Sequence, residues 1–65
     1  MQLTVNGEKR ELQAETIGTA LVELGMDAAP CAVEVNRTLI PARTRDEHKL
    51  TNGDVLEIVT LVGGG

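Results

Sequence analysis

Thr16-Ile17-Gly18-Thr19-Ala20-Leu21-Val22-Glu23-Leu24-Gly25-Met26 is the stretch that decides how this chain folds. Ile17, Ala20, Leu21 and Leu24 fall at i, i+3, i+4 and i+7, which draws one apolar stripe along a helix. Thr16 stands where an N-cap is wanted, its hydroxyl able to accept from an unpaired amide of the first turn. Gly25 occupies the C′ place, where a left-handed residue closes a helix, and Met26 behind it can pack back on the last turn. Gly18 lowers helix propensity by about 1 kcal/mol relative to alanine, so packing must hold the segment together. A short helix with both ends marked is predicted.

Outward from the helix, both flanks alternate. Met1, Leu3 and Val5 interleave with Gln2, Thr4 and Asn6, the period of a strand with one buried face. Asn6-Gly7 then supplies a turn in which both positions tolerate positive φ. A weaker alternation through Lys9 to Ala14, carrying Leu12 and Ala14, completes a hairpin. On the far side Pro30 ends a loop, and Cys31, Val33 and Val35 interleave with Ala32 and Glu34. Asn36-Arg37 turns the chain into Thr38-Leu39-Ile40, a short strand stopped by Pro41. Proline cannot donate to a ladder, so this strand belongs at a sheet edge. Ala42 to Lys49 is polar loop with at most one helical turn, and Asn52-Gly53-Asp54 turns into a long β-rich run, Val55 to Val62. A helix between two hairpin-like units packs on one face of a mixed sheet. The expected architecture is an α+β roll of four to five strands, its first and last strands side by side in the centre.

Composition narrows the function. The 65 residues include no Phe, Trp or Tyr, one cysteine and one histidine, so the core must be aliphatic and no disulfide framework or four-ligand zinc site can form. Ten acidic against six basic side chains give a net charge of −4. Such a chain lacks both the cations that neutralise phosphates and the aromatic platforms that stack bases, so no nucleic-acid partner is expected. No apolar run approaches the roughly 18 residues needed to cross a bilayer, so no membrane partner is expected either. The opening residues lack the basic-then-apolar pattern of a secretory leader, and a cytoplasmic location is the expectation.

Catalytic constellations are missing from the sequence. His48 lies in a polar loop without an evident partner and reads as a surface residue. Cys31 takes the inward parity of its strand and reads as a small buried hydrophobe. The carboxylates are scattered over outward and turn positions and read as a solvated face. No metal site is expected.

What remains is Leu61-Val62-Gly63-Gly64-Gly65. A glycine end can thread a narrow enzyme channel and leaves its terminal carbonyl without Cβ hindrance. Ordering it costs roughly 1–2 kcal/mol per residue, so a partner would have to grip the folded body as well. Residues 1–61 are thus expected to form a single domain, and 62–65 a flexible glycine tail.

Five segments together carry a resemblance: Met1-Gln2-Leu3-Thr4-Val5-Asn6-Gly7, Val35-Asn36, Ile40-Pro41, Leu50-Thr51-Asn52-Gly53-Asp54, and Glu57 through Gly65. In this order, and with the Val-Gly-Gly-Gly end, the chain resembles the ThiS family, ubiquitin-like β-grasp sulfur carriers of thiamine biosynthesis. The likeness runs over essentially the whole length. It departs at Glu15, where the family usually has glycine, and after Pro41, where an aromatic often follows.

The resemblance implies a protein co-substrate rather than an enzyme. An E1-like adenylyltransferase of the ThiF type would adenylate the Gly65 carboxylate, using ATP and magnesium held by that enzyme; the carrier itself binds no cofactor. Persulfide sulfur from a donor such as a cysteine desulfurase would convert the adenylate to a thiocarboxylate. A ThiG-type thiazole synthase would then take the sulfur. Gly63 and Gly64 would thread the partner's active site. If Leu56 and Ile58 face the helix, Val59 and Leu61 lie on the other face by parity and, with Val62, form an apolar handle beside the tail. Their alternative role is half-burial across the sheet. Three further readings stay open: the small subunit of molybdopterin synthase, a ubiquitin-like protein modifier, and a β-grasp binding module with no chemistry at its end.

Overall fold

In the computed structural model, which describes residues 1–61, Asn6 and Gly7 sit at φ 50° and 85°. This is the left-handed geometry of a two-residue hairpin turn. It joins β1 (Gln2–Val5) to β2 (Glu8–Glu11), with Leu3 opposite Arg10 and Val5 opposite Glu8. The second alternation was expected to run on to Ala14, but β2 stops at Glu11. The reason is Glu23, whose carboxylate accepts the Gln13 amide at 3.0 Å and the Ala14 amide at 2.9 Å, turning the chain toward the helix. Leu12 and Ala14 are buried nonetheless.

Helix α1 (Ile17–Glu23) carries the caps its sequence announces. The Thr16 hydroxyl accepts from the Thr19 amide, and the Thr19 hydroxyl accepts from the Thr16 amide, a reciprocal capping box. At the other end Gly25 (φ 74°) donates to the Val22 carbonyl at 3.0 Å and Met26 to the Leu21 carbonyl at 2.8 Å. That pair of bonds is the Schellman closure. Ile17, Ala20 and Leu21 are buried, and Leu24 and Met26 pack against the core. Gly18 has a packing role as well. A Cβ there would meet the Asp46 carboxylate, and the Gly18 amide donates to the Arg45 carbonyl at 3.1 Å. The bare position 18 leaves room for the Asp46 carboxylate to lie against the helix.

Strands β3 (Cys31–Val35), β4 (Thr38–Ile40) and β5 (Val55–Thr60) complete a five-stranded sheet in the order β2-β1-β5-β3-β4. Strands β1 and β5 run parallel in its interior, and the other pairs are antiparallel. The short strand before Pro41 is an edge, as its proline requires, and a single 3₁₀ turn (Ala42–Thr44) follows it. The buried side chains include Leu3, Val5, Ile17, Leu21, Val33, Val35, Leu56 and Ile58, an aliphatic core between the helix and one sheet face. No helix among the described residues is long and apolar enough to cross a membrane.

Candidate docking face and tail root

Leu56 and Ile58 are buried under the helix, so Val55, Glu57 and Val59 point to the opposite face of β5. No element of the described chain covers that face. The register extends it sideways: Ala32 lies opposite Val59, Glu34 opposite Glu57, and Leu39 of β4 opposite Glu34. Large hydrophobics stand open there, with Leu39 at 62%, Val59 at 59%, Leu61 at 53% and Val55 at 42% exposure. The side chains of Val59 and Leu61 are thus where strand parity placed them, exposed rather than half-buried across the sheet. Leu39 belongs to the same surface, which only the β3–β4 register could reveal. Of the remaining expected site residues, Val62, Gly63, Gly64 and Gly65 lie outside the described residues.

The end of β5 is held from the neighbouring strand. Thr60 pairs with Cys31, and the Leu61 amide donates to the Pro30 carbonyl at 2.8 Å. Pro30 has no amide to return, so the ladder ends there. The strand was expected to continue through Val62; among the described residues it ends at Thr60 for this reason. Arg45 braces the same corner. Its Nη2 donates to the Cys31 carbonyl at 2.6 Å and its Nη1 approaches Cys31 Sγ at 3.7 Å. The Arg45 Nε is buried without a hydrogen-bond partner among the described residues.

Other candidate groups have structural employment. Cys31 is buried in the core with a free thiol, the small-hydrophobe role its parity suggested. His48 is half-buried rather than fully solvated, and its carbonyl accepts the Ile17 amide at 3.1 Å. The carboxylates are not simply a solvated face. Glu23 fastens the β2–α1 connection, and Asp54 accepts from Asn36 Nδ2 at 3.0 Å and the Thr51 amide at 2.8 Å. A shallow groove bounded by Gln13, Thr16, Thr19 and Glu23 holds those same capping groups. Among the described residues no cluster of side chains could hold a metal ion.

A five-stranded mixed sheet with one helix on one face and its last strand in the interior is the ubiquitin-like β-grasp fold. The ThiS family model matches residues 3–65, and the chain belongs to that family. The sulfur carrier protein ThiS of Thermus thermophilus is 34% identical over 61 residues, covering 94% of this chain and 95% of that protein. A thiazole synthase of Paramagnetospirillum magneticum is 41% identical over 66 residues. That match takes in all of this chain but only 20% of the larger protein. The crystal structure of ThiS from Geobacter metallireducens superposes over the full length of both chains with a TM-score of 0.83 at 30% identity. A solution structure of a thiamine biosynthesis protein from the same organism gives a TM-score of 0.78 at 28% identity, covering 100% of this chain and 88% of that one.

Proposed function

We propose that this chain is a sulfur carrier of thiamine biosynthesis, acting as a co-substrate whose reactive group is the Gly65 carboxylate. The carboxylate attacks the α-phosphorus of ATP, pyrophosphate leaves, and an acyl-adenylate forms. A persulfide sulfur then attacks the acyl carbon and AMP leaves. Cleavage of the sulfur–sulfur bond by a second thiol frees the thiocarboxylate. A ThiF-type adenylyltransferase supplies the nucleotide site and magnesium, and a cysteine desulfurase or similar donor supplies the persulfide. Gly63 and Gly64 enter the enzyme's channel because they present no side chain. The body contributes a surface to grip, Val59 and Leu61 with Val62, which offsets the entropy of ordering the glycines.

One observation carries this reading: the family match runs through the Gly63-Gly64-Gly65 end and covers nearly all of a sulfur carrier of similar length. A thiazole synthase in which about a fifth of the polypeptide resembles this chain supports a ThiG-type acceptor, since the two would then work side by side. Reactions that use ATP and free thiols suit the cytoplasm.

Intact-mass spectrometry tests the proposal. The purified chain is incubated with ATP, magnesium, a ThiF-type enzyme and a persulfide donor, and one terminal oxygen is expected to be exchanged for sulfur. An unchanged mass overturns the reading. Isopeptide conjugates would reassign the chain as a protein modifier, and sulfur passed only to a molybdopterin synthase large subunit would reassign the pathway.

A further inference from the structure

Cys31 stands at a corner where two strands run out. The Leu61 amide donates to the Pro30 carbonyl, so Pro30, Ala32 and Glu34 turn their backbone groups toward β5 while Cys31, Val33 and Val35 turn theirs toward β4. Strand β4 serves Val33 through Ile40 and Val35 through Thr38, but Pro41 stops it before it reaches Cys31. The Cys31 carbonyl thus faces the place of an absent strand residue and needs another donor. Arg45 provides it: Nη2 donates to that carbonyl at 2.6 Å.

This brace is poorly built for stability. Among the described residues the guanidinium has no carboxylate in ion-pair contact, and its Nε is buried without an acceptor. Its other contact is Cys31 Sγ at 3.7 Å, a weak acceptor. The unmade bond at Nε offsets much of what the made one at Nη2 contributes. What Arg45 does fix is a position. Asp27, Ala28 and Ala29 are exposed and make no backbone hydrogen bond among the described residues. The Pro30 carbonyl is therefore steadied from the Cys31 side, and it accepts the last bond from β5 among those residues.

We propose that Arg45 is a positioning residue for the reaction at Gly65: by holding the Cys31 peptide it fixes the Pro30 carbonyl and, through it, the Leu61 amide at the root of the glycine end. The proposal rests on the sulfur-carrier reading. A root that shifts widens the volume sampled by the reacting carboxylate and lowers the share of bound carriers in attacking geometry. Arg45 touches the core-facing thiol of Cys31, on the side of the sheet opposite Val59, so replacing it leaves the open face untouched. Its effect belongs in kcat rather than in KM.

The test replaces Arg45 in the full chain by Met, which keeps an unbranched apolar stem, and by Lys, which can still donate once to the carbonyl. Amide hydrogen exchange is followed residue by residue, beside thermal melting and steady-state adenylation by a ThiF-type enzyme. Arg45→Met should melt within about 4 °C of the parent and exchange its Leu61 amide about tenfold faster, with the Val33 and Ile58 amides at the parent's rates. Its kcat should fall about tenfold while KM stays within about twofold. Arg45→Lys should recover part of both losses. Leu61 exchange at the parent's rate overturns the proposal, as does a parent whose Leu61 amide has no protection. An acceleration shared by the core amides, or an Arg45→Met chain that does not fold, overturns it by making Arg45 a residue of the fold alone. An unchanged kcat beside a loosened Leu61 defeats the role of Arg45 and spares the functional reading. A parent that is never adenylated defeats the functional reading itself.

Discussion

Asn6 turns the hairpin and at the same time completes the central ladder. Its amide donates to the Leu56 carbonyl at 2.9 Å, its Oδ1 accepts the Ile58 amide at 2.7 Å, and its Nδ2 donates to the Ile58 carbonyl at 3.1 Å. The side chain thus bonds β5 as one more residue of β1 would, after the backbone has already left the sheet. Asn6→Gly keeps the positive φ and removes only these side-chain bonds, so about 1–2 kcal/mol should be lost in denaturant titration. Asn6→Ala should lose more, because alanine also resists φ 50°. Equal stabilities for the two variants would mean that the ladder bonds, not the backbone angle of the turn, are what depends on this residue. The turn was legible from Asn-Gly alone. The reach to Ile58 spans 52 positions and could not be read from any local spacing. Asn36 is a second case. It sits at φ 50° in its own turn and accepts the Val55 amide at 3.0 Å through Oδ1.

At the scale of elements, the helix was legible because its information is local. Thr16, the apolar stripe and Gly25 lie within one short segment and each has one job. Thr16→Ala removes the reciprocal cap and should lower stability by about 1 kcal/mol, read as a fall in the midpoint of chemical unfolding with an unchanged slope. The strand ends were less legible, since each is set by a residue elsewhere: Glu23 ends β2, and Pro30 ends β5. Parity from Val55 to Val59 separated buried residues from open ones, because the helix covers one face; at Thr60, past the end of that cover, both parities are exposed. Leu61→Asp should therefore leave melting nearly unchanged while reducing adenylation by the ThiF-type enzyme. A folded variant adenylated at the parent rate would reject Leu61 as part of the handle.

At the scale of the molecule, an aromatic-free core of 14 buried hydrophobic residues among those described leaves little reserve. Small domains bury a smaller share of their surface on folding, and each large aliphatic side chain weighs correspondingly more. Leu56, fully enclosed on the interior strand, is the sharpest probe. Leu56→Ala should remove about 3 kcal/mol, enough to populate the unfolded chain visibly on mild heating, as circular dichroism would record. A loss below about 1 kcal/mol would mean that the surrounding residues collapse into the space. The open face of β5 was legible in outline for the same reason that the core was: parity and strand order are properties of the sequence. Its extension onto β4 was not, because Leu39 joins Val55 and Val59 on that face only through the strand registers.

The clasp between Leu61 and the Pro30 carbonyl turns the molecule into a ruler. Beyond that bond, the last among the described residues, four residues can span at most about 14 Å when fully extended. An enzyme acting at Gly65 as proposed would have to keep its reacting atoms within this radius of Leu61. Substrate selection then becomes a matter of tether length: glycines inserted after Leu61 would carry the same carboxylate past its target.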